Sequence, residues 1–246
     1  ELYFDTGTYQ PDPKQTAAWN RGAYLVEGLG HCSECHSPRN LLGGIEQKKA
    51  FTGADIDGWF ALNLTSNLKT GLGSWSVDDI ATYLKTGADK SKSTSLGPMS
   101  EVVHNSLSFM TDDDLQAMAE YLKALPASSA MSPDHQPDKT LAAGATTYVD
   151  NCSACHQAQG SGIPGVFPAL AGNGVVLAAD ANDILKVVLF GIPVQDGYIA
   201  MPGFGDKLSD QQIADLANYL RSSWGNGAAV NATAAQVAAL RKLPVE

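Results

Sequence analysis

One five-residue pattern, present twice, constrains this chain more than anything else in it. Cys32-Ser33-Glu34-Cys35-His36 and Cys152-Ser153-Ala154-Cys155-His156 together use all four of its cysteines. Two thiols three residues apart can each add to one of the two vinyl groups on a porphyrin edge, and the adjacent histidine reaches the iron from the proximal face. The pattern therefore points to two covalently bound haem c groups, one at each motif. Competing readings of the cysteines are a thioredoxin-like redox pair, a single zinc site with four thiolates, and two disulfides. Each leaves His36 and His156 as coincidences, and a zinc site would have to close the 120 residues between Cys32 and Cys152.

The landmarks around the two motifs recur in the same order, as expected of two copies of one folding unit. Upstream, Arg21-Gly22-Ala23 answers Ala143-Gly144-Ala145. Each opens a segment with apolar residues at helical intervals, Ala18, Gly22, Leu25 and Val26 in one, Leu141, Gly144, Ala145 and Tyr148 in the other. A glycine at that position lets another helix approach closely. Downstream, Asp79 to Gly87 matches Asp183 to Gly191, each a predicted helix with an acidic start and a glycine stop. An amphipathic helix closes each half, with Leu115, Met118, Leu122 and Leu125 on one stripe and Ile213, Leu216, Leu220 and Trp224 on the other. Ala119-Glu120-Tyr121-Leu122-Lys123 echoes Ala217-Asn218-Tyr219-Leu220-Arg221, and Ser209-Asp210-Gln211-Gln212 reads as a capping box. The halves differ between motif and middle helix: Ile80 lies 44 residues past His36, whereas Ile184 lies 28 past His156. The surplus, Trp59 to Trp75, is expected to be a Gly-, Asn- and Ser-rich loop over the first haem. Its Asn63-Leu64-Thr65 matches a glycosylation acceptor pattern, read here as chance.

These landmarks place an N-terminal arm at 1–20, a first domain at 21–127, a proline-bearing linker at 128–139 with Pro133 and Pro137, a second domain at 140–226, and an Ala-rich tail at 227–246 suited to one more helix. Two domains suit 246 residues at on the order of 100 to 150 each. With 44% hydrophobic and 17% charged residues the chain has the apolar material for cores. No stretch reaches the roughly 18 uninterrupted apolar residues of a membrane-spanning helix, and Glu1 to Asp5 do not read as a cleavable signal, so a soluble chain, mature or trimmed, is expected. A formal net charge of -10 argues against nucleic acid and anionic lipid as partners and suits a basic surface on a protein partner, or else only keeps the chain soluble.

An electron-transfer haem usually takes a second axial ligand from a distant loop, and methionine is common because its soft sulfur raises the potential. The interval between middle and last helices holds Met201 in the second half, and Met99 and Met110 in the first. Met99 lies 12 residues past Gly87 and Met201 lies 10 past Gly191, whereas Met110 lies 23 past Gly87, so parallel position favours Met99 and Met201. Met118, Met110 and Met131 are assigned to core packing. His104 is the rival at the first haem, although Val102 and Val103 place it on a helix face; His31 points the wrong way, and His135 sits in the linker. Each proximal histidine needs an acceptor for its other ring nitrogen, with Pro38 and Pro168 marking candidate carbonyls. Arg39 is either a haem propionate partner or a solvated surface arginine.

The run Trp19 to Cys32, with Cys35-His36-Ser37-Pro38-Arg39-Asn40, Gly97-Pro98-Met99, Val166 to Asn173 and Ser223-Trp224-Gly225-Asn226, resembles the cytochrome c subunits of bacterial membrane-associated alcohol, aldehyde and gluconate dehydrogenases. The resemblance covers nearly the whole chain. It implies an all-α protein of two tandem class I-like cytochrome c domains joined by a linker, with axial pairs His36 with Met99 and His156 with Met201 and thioether attachment at Cys32, Cys35, Cys152 and Cys155. It also implies electrons received from a dehydrogenase catalytic subunit and passed to ubiquinone or a terminal oxidase. Members of that family commonly have three haem domains, and this chain resembles the last two. A dihaem enzyme of the peroxidase or thiosulfate dehydrogenase type, and a free-standing electron shuttle, are the alternatives. Covalent haem attachment places the chain in the periplasm, with membrane association only peripheral if any.

Overall fold

The first and last helices of each half cross so closely that their backbones touch, and this crossing organises both halves in the computed structural model, which describes residues 7–89, 93–129, 141–194 and 198–243. In the first half α1 (Ala17–Ala23) lies against α5 (Asp112–Ala124); in the second α6 (Leu141–Asn151) lies against α10 (Asp210–Ser222). A Cβ at Gly22 would stand 1.9 Å from the carbonyl oxygen of Ala117, and one at Gly144 would stand 2.2 Å from that of Asp215. Neither position has room for any side chain, so the repeated glycine is a packing requirement. Tyr121 and Tyr219 flank the two contacts equivalently, their Cβ atoms also within 3 Å of those positions.

The remaining expected helices form, and their ends follow the local chemistry. The motif turns are α2 (Ser33–His36) and α7 (Ser153–His156). The middle helices are α3 (Val77–Thr86), which starts in a Ser76/Asp79 capping box and stops at left-handed Gly87, and α9 (Asn182–Phe190), which stops at Gly191. The Ser209/Gln212 capping box opens α10 as anticipated. Leu115, Met118 and Leu122 on α5, and Ile213, Leu216 and Leu220 on α10, are buried in their respective cores. Two features depart from the expectation. After α1 the helix widens into π turns over Tyr24–Leu29; Cys32 lies ten residues past Gly22 whereas Cys152 lies eight past Gly144, and wider turns absorb the two extra residues. The fold is also helical with small sheets rather than purely helical: short two-stranded ladders pair Ala88–Asp89 with Ser93–Thr94 and Gly191–Ile192 with Met201–Pro202.

The chain divides into two compact units, Glu1–Asp57 with Ala61–Gly87 and Ser95–Ala130, and Gly58–Phe60 with Ala88–Thr94 and Met131–Glu246. The segment from Trp59 to Trp75 is thus not one loop over the first motif. Its first two residues belong to the second unit, where the Phe60 N–H donates to the Asp183 carboxylate and the Lys186 ammonium lies 4.4 Å from the centre of the Trp59 ring. Most of the expected linker, residues 130–139 with Met131, Pro133, His135 and Pro137, lies outside the described residues. The Ala-rich tail forms α11 (Ala234–Leu240), opened by a Thr233/Gln236 capping box, and buries Val237 completely in the second core. Arg241 ties it to the start of α10 through Asp210 at 2.8 Å and through the Leu208 carbonyl. Among the described residues no helix is long and apolar enough to cross a membrane.

A cation at the same repeat position clamps a loop in each unit. Arg221 on α10 is fully buried, with no carboxylate hydrogen-bonded to it among the described residues, and its guanidinium donates to the carbonyls of Val176, Ala178, Asp180 and Ala229. Burial lowers its pKa to about 10 against the opposing pull of Asp180, so it stays charged at neutral pH. Lys123 on α5 does the same for the first unit, reaching the carbonyls of Leu72, Gly73 and Trp75. Two consequences are measurable by denaturant unfolding. Gly22→Ala and Gly144→Ala should each cost on the order of 1–3 kcal/mol by overpacking the crossing. Arg221→Met, which strands the buried carbonyls of Val176 and Ala178 and the half-buried ones of Asp180 and Ala229, should cost about 3 kcal/mol or more and exceed the cost of the half-buried Lys123→Met.

Candidate haem-binding sites

Each Cys-x-x-Cys-His motif forms one helical turn directly after the helix that carries the crossing glycine. The His36 N–H donates to the Cys32 carbonyl at 3.0 Å and the His156 N–H to the Cys152 carbonyl at 2.9 Å, which puts the two cysteines of each motif on one face of the turn. Cys32 packs against the first core and Cys152 against the second, while Cys35 and Cys155 are exposed. Burial pushes the thiols of Cys32 and Cys152 up to about 11, the opposite of the lowered value that marks a reactive redox thiol.

The two imidazoles are held alike. His36 Nδ1 lies 2.7 Å from the Leu62 carbonyl oxygen, and His156 Nδ1 lies 3.0 Å from that of Pro168. These are the hydrogen bonds the rings make among the described residues, and they leave Nε2 unengaged in both. Burial lowers both imidazoles from the usual histidine value, opposed by the bond to the carbonyl, and this favours the neutral ring that can donate a lone pair to a metal. Paired thiols beside a neutral imidazole with Nδ1 anchored and Nε2 available fit the attachment and proximal ligation of a haem c.

Pro168 supplies its acceptor as anticipated, but Pro38 does not. The Pro38 carbonyl accepts the Glu46 N–H, and the acceptor for His36 is Leu62, 26 residues on. The longer interval of the first half had to return near the ring, yet no proline marks where it does. Arg39 is paired with the Glu34 carboxylate and also donates to the Gly43 carbonyl at 2.8 Å. Asn63 is buried, with its amide engaged by Thr65, Thr70 and Ser128, which accounts for the acceptor pattern as a packing motif.

Met201 stands in a strand whose continuation caps the middle helix: the N–H groups of Phe204 and Gly205 donate to the carbonyls of Val188 and Leu189 near the end of α9. Met99 occupies the first turn of α4 (Pro98–Asn105), with Pro98 at the helix start and Gly97 at a φ of 51°. Met99 and Met110 both lie at the edge of the first core, and Lys85 holds the Met110 carbonyl. Met118 is core, as assigned. His104 is exposed on α4 with Nδ1 bonded to the Ser100 carbonyl, and His31 is exposed with a φ of 34°.

A family model for cytochrome c matches residues 141–224. The chain is 39% identical to the gluconate 2-dehydrogenase cytochrome c subunit of Pantoea cypripedii, over 97% of this chain and 59% of that protein. It is 42% identical to the cytochrome c subunit of the quinone alcohol dehydrogenase of Gluconobacter oxydans, over 90% of this chain and 51% of that protein. The chain thus spans little more than half the length of these two relatives, both named as cytochrome subunits. Cytochrome c-552 of Thermus thermophilus is 35% identical over 40% of this chain and 83% of its own length. With paired thiols and an anchored imidazole repeated in both units, and relatives that share the sequence at this level, the chain belongs to the cytochrome c family.

Proposed function

We propose that this chain is a dihaem electron-transfer protein, with residues 21–127 and 140–226 as tandem cytochrome c domains. One haem c would be attached through Cys32 and Cys35 and held by His36 and Met99; the other would be attached through Cys152 and Cys155 and held by His156 and Met201. The observation that carries the reading is the repetition of one arrangement: both proximal rings have Nδ1 tied to a backbone carbonyl, at 2.7 and 3.0 Å, and Nε2 left available beside a thiol pair.

When bound, each group supplies one-electron cycling between ferric and ferrous iron. The protein's part is to hold it. The paired thiols would attach the group, the anchored imidazole would supply a nitrogen donor, and the methionine of the segment after the middle helix would supply a soft sulfur donor that favours the reduced state. With His36, Met99, His156 and Met201 all engaged, the irons would have no open position for a substrate, so the chain would pass electrons rather than transform one.

The names of the relatives support a dehydrogenase as the electron donor; quinone or a terminal oxidase is the acceptor proposed here. Covalent attachment of haem supports a periplasmic location. The intact mass of the purified chain should show two added tetrapyrroles. Met99→Ala and Met201→Ala should each remove about half of the methionine–iron charge-transfer band of the oxidised protein, and the double variant all of it. A resting five-coordinate haem with peroxide turnover would instead favour the enzyme reading.

A further inference from the structure

The carbonyls that meet His36 and His156 lie on irregular segments, and a segment of that kind can hold a carbonyl only as firmly as it is itself held. In both units the brace comes from the same place. α5 ends at Ala124 and α10 at Ser222, and the residue four positions further on is Ser128 in one unit and Asn226 in the other.

Asn226 is 1% exposed. Its Oδ1 accepts the Gly172 N–H at 2.7 Å, and its Nδ2 donates to the Leu170 carbonyl at 3.2 Å and back to the Leu220 carbonyl at 2.7 Å. One side chain therefore pins the stretch just after Pro168 to the last helix. In the first unit the polarity is reversed but the outcome is the same. Asn63, the residue after Leu62, donates to the Ser128 hydroxyl at 3.0 Å; the Ser128 N–H donates to Thr65 Oγ1 at 3.1 Å, and the Ser128 carbonyl accepts from the Asn67 side chain at 3.0 Å. Different residue types, on different loops, thus tie the acceptor segment to one point of the repeat.

We propose that Ser128 and Asn226 are positioning residues that set the strength of the bond from each proximal imidazole to its carbonyl, and through it the reduction potential of one haem each. The proposal rests on the dihaem reading above. A ring N–H given to a well-placed carbonyl makes the opposite nitrogen a stronger donor, which favours ferric iron and lowers the potential. Loosening the carbonyl weakens that donation and raises it.

The test is a spectroscopic redox titration of the full chain carrying its haems, in which two one-electron steps are resolved. Ser128→Ala should move one midpoint upward and leave the other in place; Asn226→Ala should move the other upward and leave the first. Ser128→Thr, which keeps the hydroxyl, should restore the unsubstituted value. If Asn226→Ala does not assemble, Asn226→Ser keeps an oxygen able to accept the Gly172 N–H and should move the same step by less. The proposal is overturned if both variants move the same step, if a midpoint falls, or if neither moves while the intact mass still shows two tetrapyrroles. An unsubstituted chain with fewer than two tetrapyrroles would fail the dihaem reading itself and the proposal with it.

Discussion

Each unit depends on a backbone-to-backbone contact in which a helix with glycine at its centre lies directly on the carbonyl of a second helix, 95 residues away in sequence in the first unit and 71 in the second. The first helix of the pair runs into the Cys-x-x-Cys-His turn. The second leads to the residues that hold the loop meeting the His36 or His156 ring. The crossing therefore brings the attachment motif and the support of its histidine into one frame. A side chain at the glycine would push the two apart by more than close-packed neighbours can absorb.

Several polar side chains around this frame are spent on backbone carbonyls and amides rather than on opposite charges. Arg221, Lys123, Asn226 and Asn63 each bond backbone groups of the short turns and loops between the long helices. That is the physical cost of surrounding a site with loops: each unpaired peptide group in the interior has to be met by a side chain. The second unit meets it with a buried guanidinium and the first with an ammonium and a short Asn and Thr network, so the same function recurs through different chemistry.

Much of the architecture was legible in the chain. The crossing glycines, the Ser209 capping box, the amphipathic stripes and the tail helix follow from local propensity and spacing, with strong signals at positions such as Gly22 and Ser209. The acceptor for His156 was legible because a proline marks it. The acceptor for His36 was not, because a backbone carbonyl has no residue identity and Leu62 looks like any other leucine. The widened turns after α1 were also invisible, although the two-residue difference in spacing recorded the need for them.

The sequence by itself determined the haem chemistry to expect, the two-fold repetition and the membership in a family, because thiol spacing and helix periodicity are local properties of residue order. Only the tertiary structure decided which carbonyls meet the rings of His36 and His156, which cations close the loops, and that the tail belongs to the second core. Those choices depend on where peptide groups with no side-chain signature come to rest once distant helices have packed, and residue order does not encode that position locally.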